Sequence, residues 1–90
     1  LGQYEKAMRD YDQAIKLDPN NVLAYFSRAI AYASLGQYER AIQDYGRGIQ
    51  LDQDDARAHN NRADAYEELG RYVEAAANKG KACSLDSKYC

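Results

Sequence analysis

Apolar residues in this 90-residue chain return every three or four positions, the interval that gathers them on one side of a helix. Tyr25, Arg28, Ala29 and Tyr32 share one such stripe, and Tyr38, Ala41, Ile42, Tyr45 and Ile49 share another. Two kinds of joint interrupt the stripes. Leu35-Gly36 and Leu69-Gly70 put a glycine where a helix can end in the left-handed conformation, and the next stripe starts within a residue or two, which predicts tight antiparallel hairpins. Asp18-Pro19-Asn20-Asn21 and Asp52-Gln53-Asp54-Asp55 combine residues that stop a helix with Asn or Asp side chains able to cap the next one. The pattern predicts five helices, over about 4–17, 22–35, 38–51, 56–69 and 72–85.

The joints are periodic. Leu1-Gly2-Gln3-Tyr4-Glu5 returns as Leu35-Gly36-Gln37-Tyr38-Glu39 and again as Leu69-Gly70-Arg71-Tyr72, each time 34 residues later. At that offset residues 1–21 share 11 identities with 35–55, and residues 22–55 share 12 with 56–89. A fixed period without insertions marks stacked two-helix units, each burying its apolar face only against the next. The fold class is therefore all-α, a solenoid of antiparallel helix hairpins. Residues 1–90 form one array segment: the second helix of a truncated unit over 1–21, then full units over 22–55 and 56–89. Without a first helix beside them, Tyr4, Tyr11 and Ile15 lose cover, which predicts self-association through that end or a neighbouring segment. The start at Leu1, with neither an initiator Met nor a signal-like sequence, points to a cut within a longer protein.

Composition narrows the partners. With 46% hydrophobic and 29% charged residues the chain is globular, and at this length it buries only about 60 to 65% of its unfolded surface, so its stability is marginal. Twelve Lys and Arg against 14 Asp and Glu leave a net charge of -2, and nucleic acid is not an expected partner. The most apolar run, 22–35, is 14 residues long with Arg28 inside it, short of the roughly 20 that a bilayer span needs, so no membrane insertion is expected. Cys83 and Cys90 are too few for a disulfide framework and match no zinc or redox spacing; the plain reading is a reduced, cytoplasmic chain.

The repeated residues resemble the tetratricopeptide repeat, a 34-residue unit with a characteristic series of aromatic and small positions. Tyr25, Arg28, Ala29, Tyr32, Ala41, Tyr45 and Gln53 stand at the signature places of one unit. His59, Arg62, Ala63, Tyr66, Ala75, Lys79 and Ser87 stand at those of the next, and Ala7, Tyr11 and Pro19 at those of the partial first. The resemblance implies a right-handed superhelix. The chain also departs from the family pattern. Arg28 and Arg62 replace the usual Leu, which needs either a buried carboxylate partner or a stem that carries the charge out to solvent; the second is the expectation. Lys79 replaces an aromatic beside Asn78 and Gly80, weakening the face that would meet a further unit. Gly46 and Gly48 each cost a helix about 1 kcal/mol relative to Ala, and close helix contact would account for Gly48.

In this family the first helix of each hairpin lines a concave groove that holds a peptide. Carried onto this chain, the groove residues are Leu23, Phe26, Ser27 and Ile30, with Ala33 and Ser34, from one unit and Arg57, Asn60, Asn61 and Asp64, with Glu67 and Glu68, from the next. Leu23, Phe26 and Ile30 recur opposite the structural stripe, and an exposed Phe and Ile side by side mark a contact surface. Leu23 and Phe26 could alternatively be residues that pack on the absent first helix. Asn60 and Asn61 can pair with a peptide backbone, and Arg57 can hold a carboxylate. The carboxylate clamp with which some members grip chaperone C-termini is not expected: in one registration Phe26 and Ile30 sit where Lys and Asn are needed, and in the other Arg57 suits a basic place but Ser27 and Asn61 fall where Asn and Arg belong. The resemblance thus implies a non-catalytic interaction module for a protein or peptide ligand, or alternatively a segment that stacks end to end into homo-oligomers.

No enzyme or metal constellation is legible, and no cofactor is expected. Residues equidistant from the Gly70 turn face one another, and His59 and Cys83 come close to satisfying this, but a catalytic pair would lack an orienting group and an oxyanion site. The pair reads as core. Asp52, Asp54 and Asp55 lack the glycine and glutamate of a calcium loop and read as caps, while Gly46-Arg47-Gly48 lacks the third glycine and strand of a dinucleotide site.

Overall fold

The turns repeat in their atoms as well as in their letters. A computed structural model describes residues 2–90; Leu1, the first letter of the earliest Leu-Gly pair, lies outside the described residues. Five helices follow in order: α1 Gly2–Leu17, α2 Val22–Ser34, α3 Tyr38–Leu51, α4 Ala56–Glu68 and α5 Tyr72–Leu85, with a single 3₁₀ turn at Ser87–Tyr89. Gly36 and Gly70 take φ of 77° and 75°, and each lets the chain reverse. The Gln37 and Arg71 amides reach back to the carbonyls of Tyr32 and Tyr66, both at 2.9 Å, satisfying acceptors that the helix end would leave bare. At the other joints Asn21 accepts from the Ala24 amide and Asp55 from the Ala58 amide, both at 3.0 Å, so both side chains cap the helices they precede. Asp18, Asp52 and Asp86, spaced by 34, each accept from the amide two residues on.

α2 packs on α3 and α4 on α5 as hairpins, and α3 against α4 joins the two; α1 packs on α2. Short side chains make this possible. Ala29, Ala41 and Ala63 are fully buried and Ala75 nearly so, which lets helix axes approach, while Tyr45 and Ile49 fill the space around them. Each hairpin is also tied to the joint before it: the Tyr25 hydroxyl donates to the Pro19 carbonyl at 3.0 Å, and His59 Nε2, 34 residues on, pairs with the Gln53 carbonyl at 3.1 Å.

α1 buries none of its residues completely. Tyr4 is exposed, but Tyr11 and Ile15 are half-buried, which corrects the expectation that all three lie open. On α5, Tyr72 and Val73 are exposed, and Lys79 pairs with Glu67 of α4 at 3.2 Å, both partly in solvent. No helix among the described residues is long and apolar enough to cross a membrane.

Candidate functional site

Placing α2 and α4 next to one another as the leading helices of consecutive hairpins opens a cleft between them. Leu23, Phe26, Ser27 and Ile30 of α2 line it with Arg57, Ala58 and Asn61 of α4, the α4 cap Asp55, and Tyr45 of α3; it measures about 310 Å³. A second cleft of about 430 Å³ shares Ile30, Tyr45, Arg57 and Asn61 with the first and adds Ala33, Ser34, Asp64 and Glu68. The two are continuous along the same face. The α2 flank is largely apolar; the α4 flank carries Arg57 with the acidic residues Asp55, Asp64 and Glu68. Asn60 is half-buried and lines neither cleft.

Tyr45 and Asp55 were not anticipated in this site. Tyr45 belongs to the structural stripe, yet its ring lies between the core and both clefts. Burial, reinforced by Asp64 and offset by Arg57, pushes its phenol up to about 12. The phenol therefore remains a neutral donor and acceptor at physiological pH.

Phe26 is not the exposed anchor that its spacing suggests. Its ring is half-buried over Gly48, where an added methyl group would overlap it, and it lies tilted against Tyr45 with centroids 6.5 Å apart. Gly48 is accordingly the close contact between α2 and α3 that its place in a helix called for. The free apolar surface of the cleft comes instead from Leu23, 74% exposed, and Ile30, 39% exposed.

Arg28 also departs from expectation. Its stem does not carry the charge into solvent: Nε and Nη2 each meet a different oxygen of the buried Asp44 at 2.8 Å, and Nη1 meets Asp12 of α1 at 2.8 Å. This carboxylate fork holds the Arg28 guanidinium protonated well beyond its ordinary range. The signal was present in the sequence, because 28 and 44 are equidistant from Gly36, as 62 and 78 are from Gly70. At the second place Arg62 Nε donates to Asn78 Oδ1 at 2.7 Å.

The cysteines correct the reading of reduced thiols. Cys83 and Cys90 form a disulfide that ties the terminal 3₁₀ turn to the end of α5. It also removes the thiolate from any His59–Cys83 pair. His59 is buried, and since a carbonyl only accepts, its contact with Gln53 places the proton on Nε2 and leaves Nδ1 without a partner.

Family models match along the chain: one described as TPR repeat over residues 1–36 and 31–70, and one described as Tetratricopeptide repeat over 56–89. Among solved structures the chain is similar to the Arabidopsis OM64 TPR domain, 36% identical over 97% of this chain and 72% of that one, with a TM-score of 0.91. The first TPR of Spaghetti (RPAP3), bound to the HSP90 peptide SRMEEVD, is 26% identical over 96% of this chain and 68% of that one, also with a TM-score of 0.91. MamA AMB-1 is 27% identical over 93% of this chain, with a TM-score of 0.88; the chain spans 49% of the MamA chain, about half its length. A comparison with curated proteins finds no match.

Proposed function

Because the chain belongs to the tetratricopeptide-repeat family, we propose that it is a non-catalytic protein-interaction module holding a partner's peptide in the cleft between α2 and α4. The observation that carries this reading is the meeting of exposed Leu23 and Ile30 with Arg57 and Asn61 in one cleft. An apolar peptide side chain gains by covering Leu23 and Ile30, at roughly 25 cal/mol per Å² of apolar surface removed from water. Arg57 offers a two-pronged donor to a peptide carboxylate, and the Asn61 amide can both donate to and accept from a peptide backbone. Helices packed on alanines hold these groups in place beforehand, so little conformational freedom is lost on docking.

The structure solved with SRMEEVD supports a peptide as ligand for this architecture. The carboxylate clamp of some family members is not proposed for this chain, since α2 offers Phe26 and Ile30 rather than a cation and an amide. The test is phage-display selection of peptides on the oxidised chain, followed by calorimetry against Ile30→Lys and Arg57→Glu. Both positions are exposed, so both variants should fold. At least tenfold weaker binding in each is the expected result, and selected peptides that bind both variants as well as wild type would exclude the cleft.

A second reading has its own observation: Tyr4 and Leu17 on α1, and Tyr72 and Val73 on α5, are exposed large apolar residues on the first and last helices. Copies stacking α5 against α1 would cover them. Sedimentation of the chain alone across a dilution series separates the readings, because stacking needs only further copies and shifts with concentration, whereas the peptide reading gives a monomer at every dilution.

A further inference from the structure

A further cleft lies between α3 and α5, on the side of α4 that carries His59, Arg62 and Tyr66 rather than Arg57, Asn61 and Asp64. Its volume is about 700 Å³. Three cations line it, Arg47, Arg62 and Lys81, against one carboxylate, Asp54, a local excess of positive charge in a chain whose net charge is -2.

The 34-residue offset supplies an internal control for Arg62. Arg28, its counterpart, has all three guanidinium nitrogens on carboxylate oxygens, of Asp44 from the following helix and Asp12 from the preceding one. At the corresponding places around Arg62 stand Asn78 and Gly46. Asn78 is a neutral acceptor for Nε, itself fixed by donation to the Glu74 carbonyl at 2.8 Å. At Gly46 no carboxylate replaces Asp12: a methyl group built there would find only Arg62 Nη1 within 4 Å, at 3.7 Å. Nη1 and Nη2 of Arg62 thus have no hydrogen-bond acceptor among the described residues, while the Nε contact holds the planar group in place. One side of the surrounding cleft is also incompletely satisfied, since the buried Nδ1 of His59 has no partner.

We propose that this cleft is a carboxylate-binding site, in which an Asp or Glu side chain of a partner polypeptide takes the place that Asp12 occupies on Arg28. The precedent within the chain fixes the chemistry: the same guanidinium, in the same setting 34 residues earlier, takes a carboxylate oxygen on Nη1 at 2.8 Å. Carboxylate on Arg62 is a charge-assisted contact, and Arg47 and Lys81 add to the attraction. The site uses the opposite side of α4 from the α2/α4 cleft, so it stands or falls independently of the function proposed above.

The test is an NMR titration of the oxidised chain, following the arginine Nε–Hε signals and the His59 ring. The probes are a blocked peptide Ac-Glu-Asp-Glu-Asp-NH2, acetate, and inorganic phosphate, each at ionic strength matched with chloride. Saturable shifts of Arg62 with the peptide are expected, weakened at least tenfold in Arg62→Gln. Gly46→Asp restores the missing carboxylate from within the chain, so it should abolish the peptide response and melt above Gly46→Ala, a control that binds as wild type does. Acetate no better than chloride assigns the carboxylate to a polypeptide; acetate saturating as well as the peptide still supports the site, with a small carboxylate as its source. Saturation by phosphate alone, an undiminished response in Arg62→Gln, or no saturable shift with any probe overturns the proposal.

Discussion

The α2–α3 and α4–α5 hairpins trace the same path with different interiors. In the first, Arg28 and Asp44 form a two-pronged ion pair behind the helix contact at Gly48, and Tyr45 fills the gap toward α4. In the second, a single bond from Arg62 to the amide of Asn78 stands in that place, Ala82 replaces Gly48, Lys79 replaces Tyr45, and a disulfide closes the end. What the two share is the reversing glycine, the capping side chain, the donor tied back to the preceding joint and the buried alanines. Those features set the backbone. The groups between them are free to differ, and there each hairpin acquires its own strength and its own surface.

The largest effect should follow from breaking the ion pair. Asp44→Ala leaves Arg28, whose side chain is 20% exposed, with only the solvent-facing Asp12, and we expect a loss of about 3 kcal/mol in urea denaturation. Asn78→Ala, removing a bond to a neutral acceptor, should cost about 1.5 kcal/mol. Equal losses would mean that the charge on Asp44 adds nothing to the first hairpin.

Reduction tests the other member. The disulfide closes a loop of eight residues, counting both cysteines, and loop-closure entropy assigns it about 2.5 kcal/mol. Dithiothreitol should therefore lower the melting temperature of the wild type and leave Cys83→Ser unaffected. Hydrogen exchange should then quicken in α5 and the 3₁₀ turn, with α2 and α3 hardly changed; uniform quickening would show that the hairpins do not differ in this respect.

Alkali reaches the difference between Tyr45 and Lys79. Folded Tyr45 keeps its proton to about pH 12, above the ordinary value of 10, so the unfolded chain loses that proton first. The contribution is complete below pH 10 and disappears as pH rises toward 12, by about 2 kcal/mol. Denaturation of wild type and Tyr45→Phe at pH 9 and 12 should show the extra loss in the wild type alone, and parallel losses would mean the phenol is not held neutral by the fold.

The helices were legible because periodicity reports which side of a helix a residue faces, and the joints because glycine, asparagine and aspartate have few conformational roles. The observed α2 and α4 end one residue before the expected limits, at the leucines that serve as their C-caps. Depth was not legible. Phe26 and Ile30 share a face, yet Phe26 sinks because Gly48 leaves a hole beneath it, a fact held by another helix. Arg28 read as solvated because its partner, Asp44, is one of many acidic residues until the hairpin is closed. The disulfide was missed because its seven-residue spacing spans a helix end whose geometry no spacing motif encodes. Of the residues expected at the groove, Leu23, Phe26, Ser27, Ile30, Arg57 and Asn61 line a single cleft, Asp64 lies in the adjoining one, and Asn60 in neither, since its place on α4 falls between the two sides.

Among the described residues, nine of the twelve buried apolar residues are alanine. Alanine has no rotamers to freeze, so this interior is assembled almost without side-chain entropy loss, and it has almost no side chain left to trim. Saturation mutagenesis should consequently show an inverted core: positions 29, 41, 63, 75 and 82 tolerate serine or glycine better than valine or leucine, because added volume must force packed helices apart. A chain built this way varies its surface freely while its centre resists growth.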